Sequence, residues 1–138
     1  MYRWIFLLLI FIFSCKKDAI DSSIPFRQVN LLIYPNDPAY FDISSPGGHV
    51  YINGGYNGII IYRFNQEEFR VFDRACPYDP LETCARVHFD SQGDVLVKDT
   101  CCLSRFQVID GSVVSGPAAQ PLKPYNHSYD GNVLHIYN

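Results

Sequence analysis

Four of the five cysteines fall between Arg74 and Phe106. Cys76 lies in Ala75-Cys76-Pro77-Tyr78, Cys84 follows, and Cys101 and Cys102 are adjacent in Asp99-Thr100-Cys101-Cys102-Leu103-Ser104-Arg105-Phe106. Thiols at this density can bridge one another, hold a metal or an iron-sulfur cluster, or exchange with other thiols. A structural zinc site favours close Cys-x2-x4-Cys pairs, whereas the intervals here are seven residues, sixteen and none, so zinc is not expected. A reactive thiol needs a basic neighbour to lower its pKa, and only Arg74 and Arg105 stand close in sequence. Ser104 has no histidine within sequence reach that would make it a nucleophile. Tyr78 reads as a hydrophobic cap on its loop, and Asp99 as a strand end that accepts hydrogen bonds from the turn after it. His49, His88, His127 and His135 are scattered over strand-like segments and read as surface or satisfied strand histidines. No phosphate loop, paired glycosidase carboxylates or nucleotide fingerprint is present, and no residue is singled out as catalytic.

The fifth cysteine belongs to the N-terminus. Arg3 precedes an unbroken apolar run, Trp4 to Phe13, followed by Ser14-Cys15-Lys16-Lys17-Asp18. A helix needs about 20 apolar residues to cross a bilayer, so a run of ten reads as the core of a signal peptide. Ile12-Phe13-Ser14-Cys15 resembles a bacterial lipobox, which implies cleavage after residue 14 and acyl chains on Cys15 that anchor the protein to a membrane. The charged start Lys16-Lys17-Asp18 resembles surface lipoproteins of the Bacteroidetes type. The expected location is the bacterial cell envelope, on a periplasmic or outer-membrane face. Residues 15–23 then form a polar tether, and residues 24–138 one domain, large enough for a real core.

Without residues 1–14 the chain carries 10 basic and 14 acidic side chains. That surface has no long-range attraction for nucleic acid or anionic lipid, and the sequence names no protein partner. With Cys15 lipidated, an even four cysteines remain where disulfides persist. Three pairings exist. A bridge between adjacent Cys101 and Cys102 is disfavoured by disulfide geometry, which leaves two open.

The elements that must position these residues are strands. From Ile24 on, short apolar stretches alternate with Pro, Gly, Asn and Asp, and no apolar stripe of helical period is long enough for a helix. Strands are predicted at residues 29–34, 49–52, 58–64, 69–73, 85–89, 95–98, 105–109, 112–114, 123–129 and 132–137. Asp110-Gly111 and Asp130-Gly131 between apolar runs predict hairpins over residues 106–114 and 125–136. Gly58-Ile59-Ile60-Ile61-Tyr62 lacks alternation and predicts a strand buried on both faces. Ten Tyr and ten Phe fit a small β sandwich or barrel better than a helical bundle.

The two cysteine segments, with Ser104-Arg105-Phe106 and Asp110-Gly111-Ser112-Val113-Val114-Ser115-Gly116-Pro117-Ala118-Ala119-Gln120-Pro121-Leu122, resemble the Rieske iron-sulfur domain. The resemblance covers residues 48–138 and gives residues 24–47 no counterpart. It implies an antiparallel β body with a small inserted subdomain, about residues 74–110, carrying Cys-x-His and Cys-x-x-His loops. In that family two cysteines bind one iron of a [2Fe-2S] cluster and two histidines the other. Here Cys76 keeps its place, Tyr78 falls on the first histidine, Asp99 on the second cysteine and Cys102 on the second histidine. The usual glycine before the serine is Leu103, so the loop is expected to relax away from a positive φ. The family's extra bridge falls on Cys84 and Cys101. That pairing implies Cys76 with Cys102, a second bridge in place of the cluster.

The resemblance therefore implies an envelope-anchored lipoprotein with a Rieske-like domain and no cofactor, stapled by disulfides and acting as a structural or interaction module rather than an enzyme. The alternatives are a [2Fe-2S] electron carrier with altered ligands around Cys76, Asp99, Cys101 and Cys102, and a thiol-disulfide redox protein.

Overall fold

The computed structural model describes residues 24–91 and 95–138. The expected signal peptide, Cys15 and the expected tether at 15–23 lie outside the described residues. Among the described residues no helix is long and apolar enough to cross a membrane.

The chain is all-β and antiparallel, as its alternating short apolar runs require. Among the described residues ten strands form three sheets. β1 (Asn30–Ile33), β10 (Leu134–Tyr137) and β9 (Asn126–Tyr129) form the first, in the order β1-β10-β9. β2 (His49–Ile52), β3 (Ile59–Arg63) and β4 (Phe69–Asp73) form the second in sequence order, and β5 (Val87–Phe89), β6 (Leu96–Asp99), β7 (Arg105–Gln107) and β8 (Val113–Ser115) the third. Both Asp-Gly hairpins are present: Phe106 pairs with Val113 across one, and Leu134 with Tyr129 across the other.

The run without alternation at 59–62 explains how the three sheets cohere. β3 is the middle strand of its sheet, and all its residues are buried. Successive side chains of a strand point to opposite faces, so Ile59 and Ile61 enter a core with Ile33, Phe69, Leu134 and Ile136. Ile60 and Tyr62 enter the other, with Phe72, Val87, Val97, Phe106 and Leu122. One sheet thus walls two cores, the second of which carries the cysteine loops. Burying an isoleucine stabilises by about 1.5–3 kcal/mol, and an apolar side chain at every turn of this strand is what both cores need.

The predicted strand at 123–129 begins only at Asn126, because Pro124 cannot donate to a ladder. Residues 123–125 instead run beside β4, where Lys123 O accepts from Asp73 N at 2.9 Å and Tyr125 N donates to Val71 O at 3.0 Å. Residues 24–47 contribute β1 and a short 3-10 segment, Pro38–Ile43, capped by the Asp37 carboxylate on Ala39 N at 2.8 Å. Buried Arg63 fastens this segment, its guanidinium donating to Ile43 O at 3.0 Å and Ser44 O at 3.2 Å while lying 5.0 Å over the Phe69 ring.

Candidate functional site

Three loops meet at one end of the third sheet. The first leaves β4 through Asp73. This carboxylate is fully buried and accepts from Tyr56 N at 2.6 Å, Asn57 N at 3.2 Å, Ala75 N at 2.8 Å and Tyr125 Oη at 2.6 Å. Burial, and then the hydrogen bond to Asp73, push the Tyr125 phenol well above its ordinary pKa, so it remains a donor. With the chain pinned there, Cys76 N reaches Ala85 O at 3.0 Å and the Cys76 side chain is buried in the second core.

The second loop joins β6 to β7. Asp99, the last residue of β6, turns its carboxylate into the loop, where Oδ1 accepts from Cys101 N at 3.0 Å and Oδ2 from Cys102 N at 3.3 Å and Cys102 Sγ at 3.0 Å. Backbone bonds close the turn: Leu103 N to Asp99 O at 3.0 Å and Asp99 N to Ser104 O at 2.9 Å. The third loop, Gly116-Pro117-Ala118, lies against Ser104. Ala118 N donates to Ser104 Oγ at 3.1 Å, and a Cβ on Gly116 would meet Ser104 Cα at 2.5 Å.

Cys84 and Cys101 are disulfide-bonded, 17 positions apart in sequence, and tie the first two loops together. The second expected bridge is not formed. Cys76 and Cys102 are thiols with their sulfurs 3.5 Å apart, and the Asp99 carboxylate and Ser104 Oγ, 3.1 Å from Cys102 Sγ, engage the Cys102 thiol. Burial pushes the Cys76 thiol far up, its contacts with Cys102 and Asp99 adding to that. Burial also raises Asp99, but the hydrogen bonds from Cys102, Cys101 and Cys76 outweigh it and hold the carboxyl below its usual range.

The expected relaxation at Leu103 is overturned. Leu103 keeps φ at +64°, because backbone bonds on both sides of it close the turn and the disulfide anchors the loop. Its side chain is 59% exposed and meets no wall. A left-handed non-glycine residue costs about 1–2 kcal/mol, part of which glycine returns as unfolded-state entropy. Leu103→Gly is therefore expected to stabilise by about 0.5–1 kcal/mol in urea denaturation; an unchanged or lower midpoint would refute the strain.

The Tyr78 backbone amide hydrogen-bonds to Cys76 while its ring turns outward. It is 55% exposed and, with Pro77, Pro117, Ala119 and Gln120, lines a shallow depression of about 270 Å³. Arg74 and Arg105 have other partners. Arg74 lies 3.9 Å over the Tyr51 ring and meets His88 Nδ1 at 2.8 Å, and Arg105 pairs with Asp90 at 2.9 Å. The histidines are likewise placed elsewhere: His49 stacks on Phe89 at 3.6 Å, His127 lies between Tyr125 O and Phe69 O, and His135 meets Asn30 at 2.7 Å. Burial holds His49 below its ordinary pKa, with Asp42 partly offsetting it. Burial, then Arg74 and Arg86, do the same to His88. A histidine depressed by folding disfavours the folded state when protonated. Stability is expected to be full above pH about 6.5 and to decline as pH falls through that value, with NMR titration placing both imidazoles below the reference.

No protein-family profile and no curated protein matches the sequence. Among solved structures the chain is similar to the ferredoxin of carbazole 1,9a-dioxygenase from Nocardioides aromaticivorans, at 14% identity over 80% of this chain and 97% of that one, with a TM-score of 0.49. It is also similar to the protein NirD of E. coli, at 13% identity over 81% and 96%, with a TM-score of 0.49. Likeness at such identities concerns the course of the chain and not what it binds.

A [2Fe-2S] group of Rieske type does not fit the residues present. Its outer iron requires two imidazoles, and none of the four histidines stands at those positions. The phenol at one of them faces solvent. The sulfurs of Cys76 and Cys102 are 3.5 Å apart, and a carboxylate, Asp99, stands where the resemblance places the second cysteine.

Proposed function

We propose that this protein is a bacterial envelope lipoprotein, anchored through lipid on Cys15, whose Rieske-like domain works as a structural or interaction module without a [2Fe-2S] cluster. The observation that supports this reading is that a phenol, Tyr78, and a thiol, Cys102, stand where the resemblance places the two histidine ligands of the outer iron. Exposed Tyr78, Leu81 and Leu103 on the two bridged loops offer apolar contacts to a protein partner. The anchor rests on the lipobox-like Ile12-Phe13-Ser14-Cys15.

The test is the full chain produced with ample iron and purified from membranes. A colourless protein without acid-labile sulfide is expected, acylated in a way that Cys15→Ser abolishes. Stoichiometric iron and sulfide with thiolate-to-iron absorption would replace this reading by that of an electron carrier with altered ligands. Thiol-disulfide exchange is favoured by one observation, the 3.5 Å approach of the two free sulfurs. A Cys76–Cys102 bridge in the isolated protein, with a reduction potential well above the roughly −300 mV below which structural bridges lie, would favour it.

A further inference from the structure

We infer that Cys76, Asp99 and Cys102 form a site for a single borderline-soft divalent cation of the zinc class, in place of a two-iron cluster. Sequence spacing argues against zinc only if its ligands come from one local motif. Here they come from two loops that the fold brings together, and one ligand atom from each residue lies within 4.8 Å of the others. Zinc-sulfur bonds of about 2.3 Å and zinc-oxygen bonds of about 2.1 Å set tetrahedral edges of about 3.8 Å between two sulfurs and about 3.6 Å between sulfur and oxygen. The metal-free distances are 3.5 Å between the sulfurs and 3.0 Å from Cys102 Sγ to Asp99 Oδ2. The first edge has to open by about 0.3 Å and the second by about 0.6 Å.

The surroundings point the same way. Asp99 is 1% exposed. The hydrogen bonds at its oxygens come from two backbone amides and the thiols of Cys102 and Cys76. A cation held at Asp99 would neutralise its charge directly, which a bridge between the two cysteines would not. Metal-ligating groups are held by further hydrogen bonds, and these are in place. Both Asp99 oxygens accept from loop amides. Ser104 Oγ already accepts from Ala118 N, so its own hydrogen can turn to the Cys102 sulfur once that is a thiolate. Binding balances as one divalent cation taken up and two thiol protons released. Three protein ligands leave a fourth position for water.

The probe is Co²⁺, titrated into the full chain purified in detergent with Cys76 and Cys102 reduced. One equivalent is expected to produce a thiolate-to-cobalt band in the near ultraviolet and tetrahedral bands in the visible, both bleached by Zn²⁺. Cys102→Ala should abolish the bands, and Ser104→Ala should weaken binding about 10- to 100-fold. Tyr78→Phe should leave it unchanged, and near-ultraviolet circular dichroism checks that each variant is folded. No band from the reduced chain, or an undiminished band in folded Cys102→Ala, would overturn the inference and leave the module reading standing. Two irons and two sulfides in the same place would overturn both.

Discussion

Asp73→Ala is expected to cost about 3 kcal/mol or more of folding stability, the largest single-residue effect outside the apolar cores. The carboxylate is wholly buried and answers three backbone amides and the Tyr125 hydroxyl at once. Hydrogen bonds to a charged group contribute about 1.5–3 kcal/mol each, less when they share an acceptor, and their loss leaves buried donors without partners. Tyr125→Phe removes one donor while the carboxylate keeps its amides, so about 1–2 kcal/mol is expected. Urea denaturation of both variants decides the matter. If Asp73→Ala cost less than Tyr125→Phe, the carboxylate would not be the knot that joins β4, the loop at 53–58 and the strand approach at 125.

Removing the Cys84–Cys101 bridge is the second large effect. The bridge spans 17 positions; closing a loop of that size is worth about 3 kcal/mol in the chain-entropy model. The double variant Cys84→Ala/Cys101→Ala is expected to lose that amount. Its amide exchange should accelerate first between residues 77 and 86 and around Asp99 to Ser104, because the bridge and the Asp99 turn hold the second loop together. Uniform acceleration across β1, β9 and β10 would instead show that the bridge acts only on the unfolded chain.

The two hairpins and the doubly buried strand at 59–62 were legible from residue types and order, and the pairing of Cys84 with Cys101 was implied only by the Rieske resemblance. The hairpins and the strand depend on local chemistry: Asp-Gly turns and an apolar run too short for a helix. Asp73 was not singled out, although a carboxylate ending an apolar strand is visible in the sequence. Its partners at 56, 57 and 125 lie in other elements, and only their meeting gives it a role. Leu103 was misjudged for the opposite reason. Its own preference argues against positive φ, but the turn that encloses it sets the angle.

The sequence by itself determined that this chain is all-β, where it turns, and that a phenol, a carboxylate and a thiol stand at three of the four positions the Rieske resemblance assigns to ligands, because those properties belong to residues and their order. Only the tertiary structure decided that Cys76 and Cys102 stand as thiols beside a buried carboxylate. Twenty-six positions separate the two sulfurs along the chain. The 3.5 Å between them follows from the strand register, the buried Asp73 knot and the Ser104–Ala118 contact, none of which spacing along the chain can express.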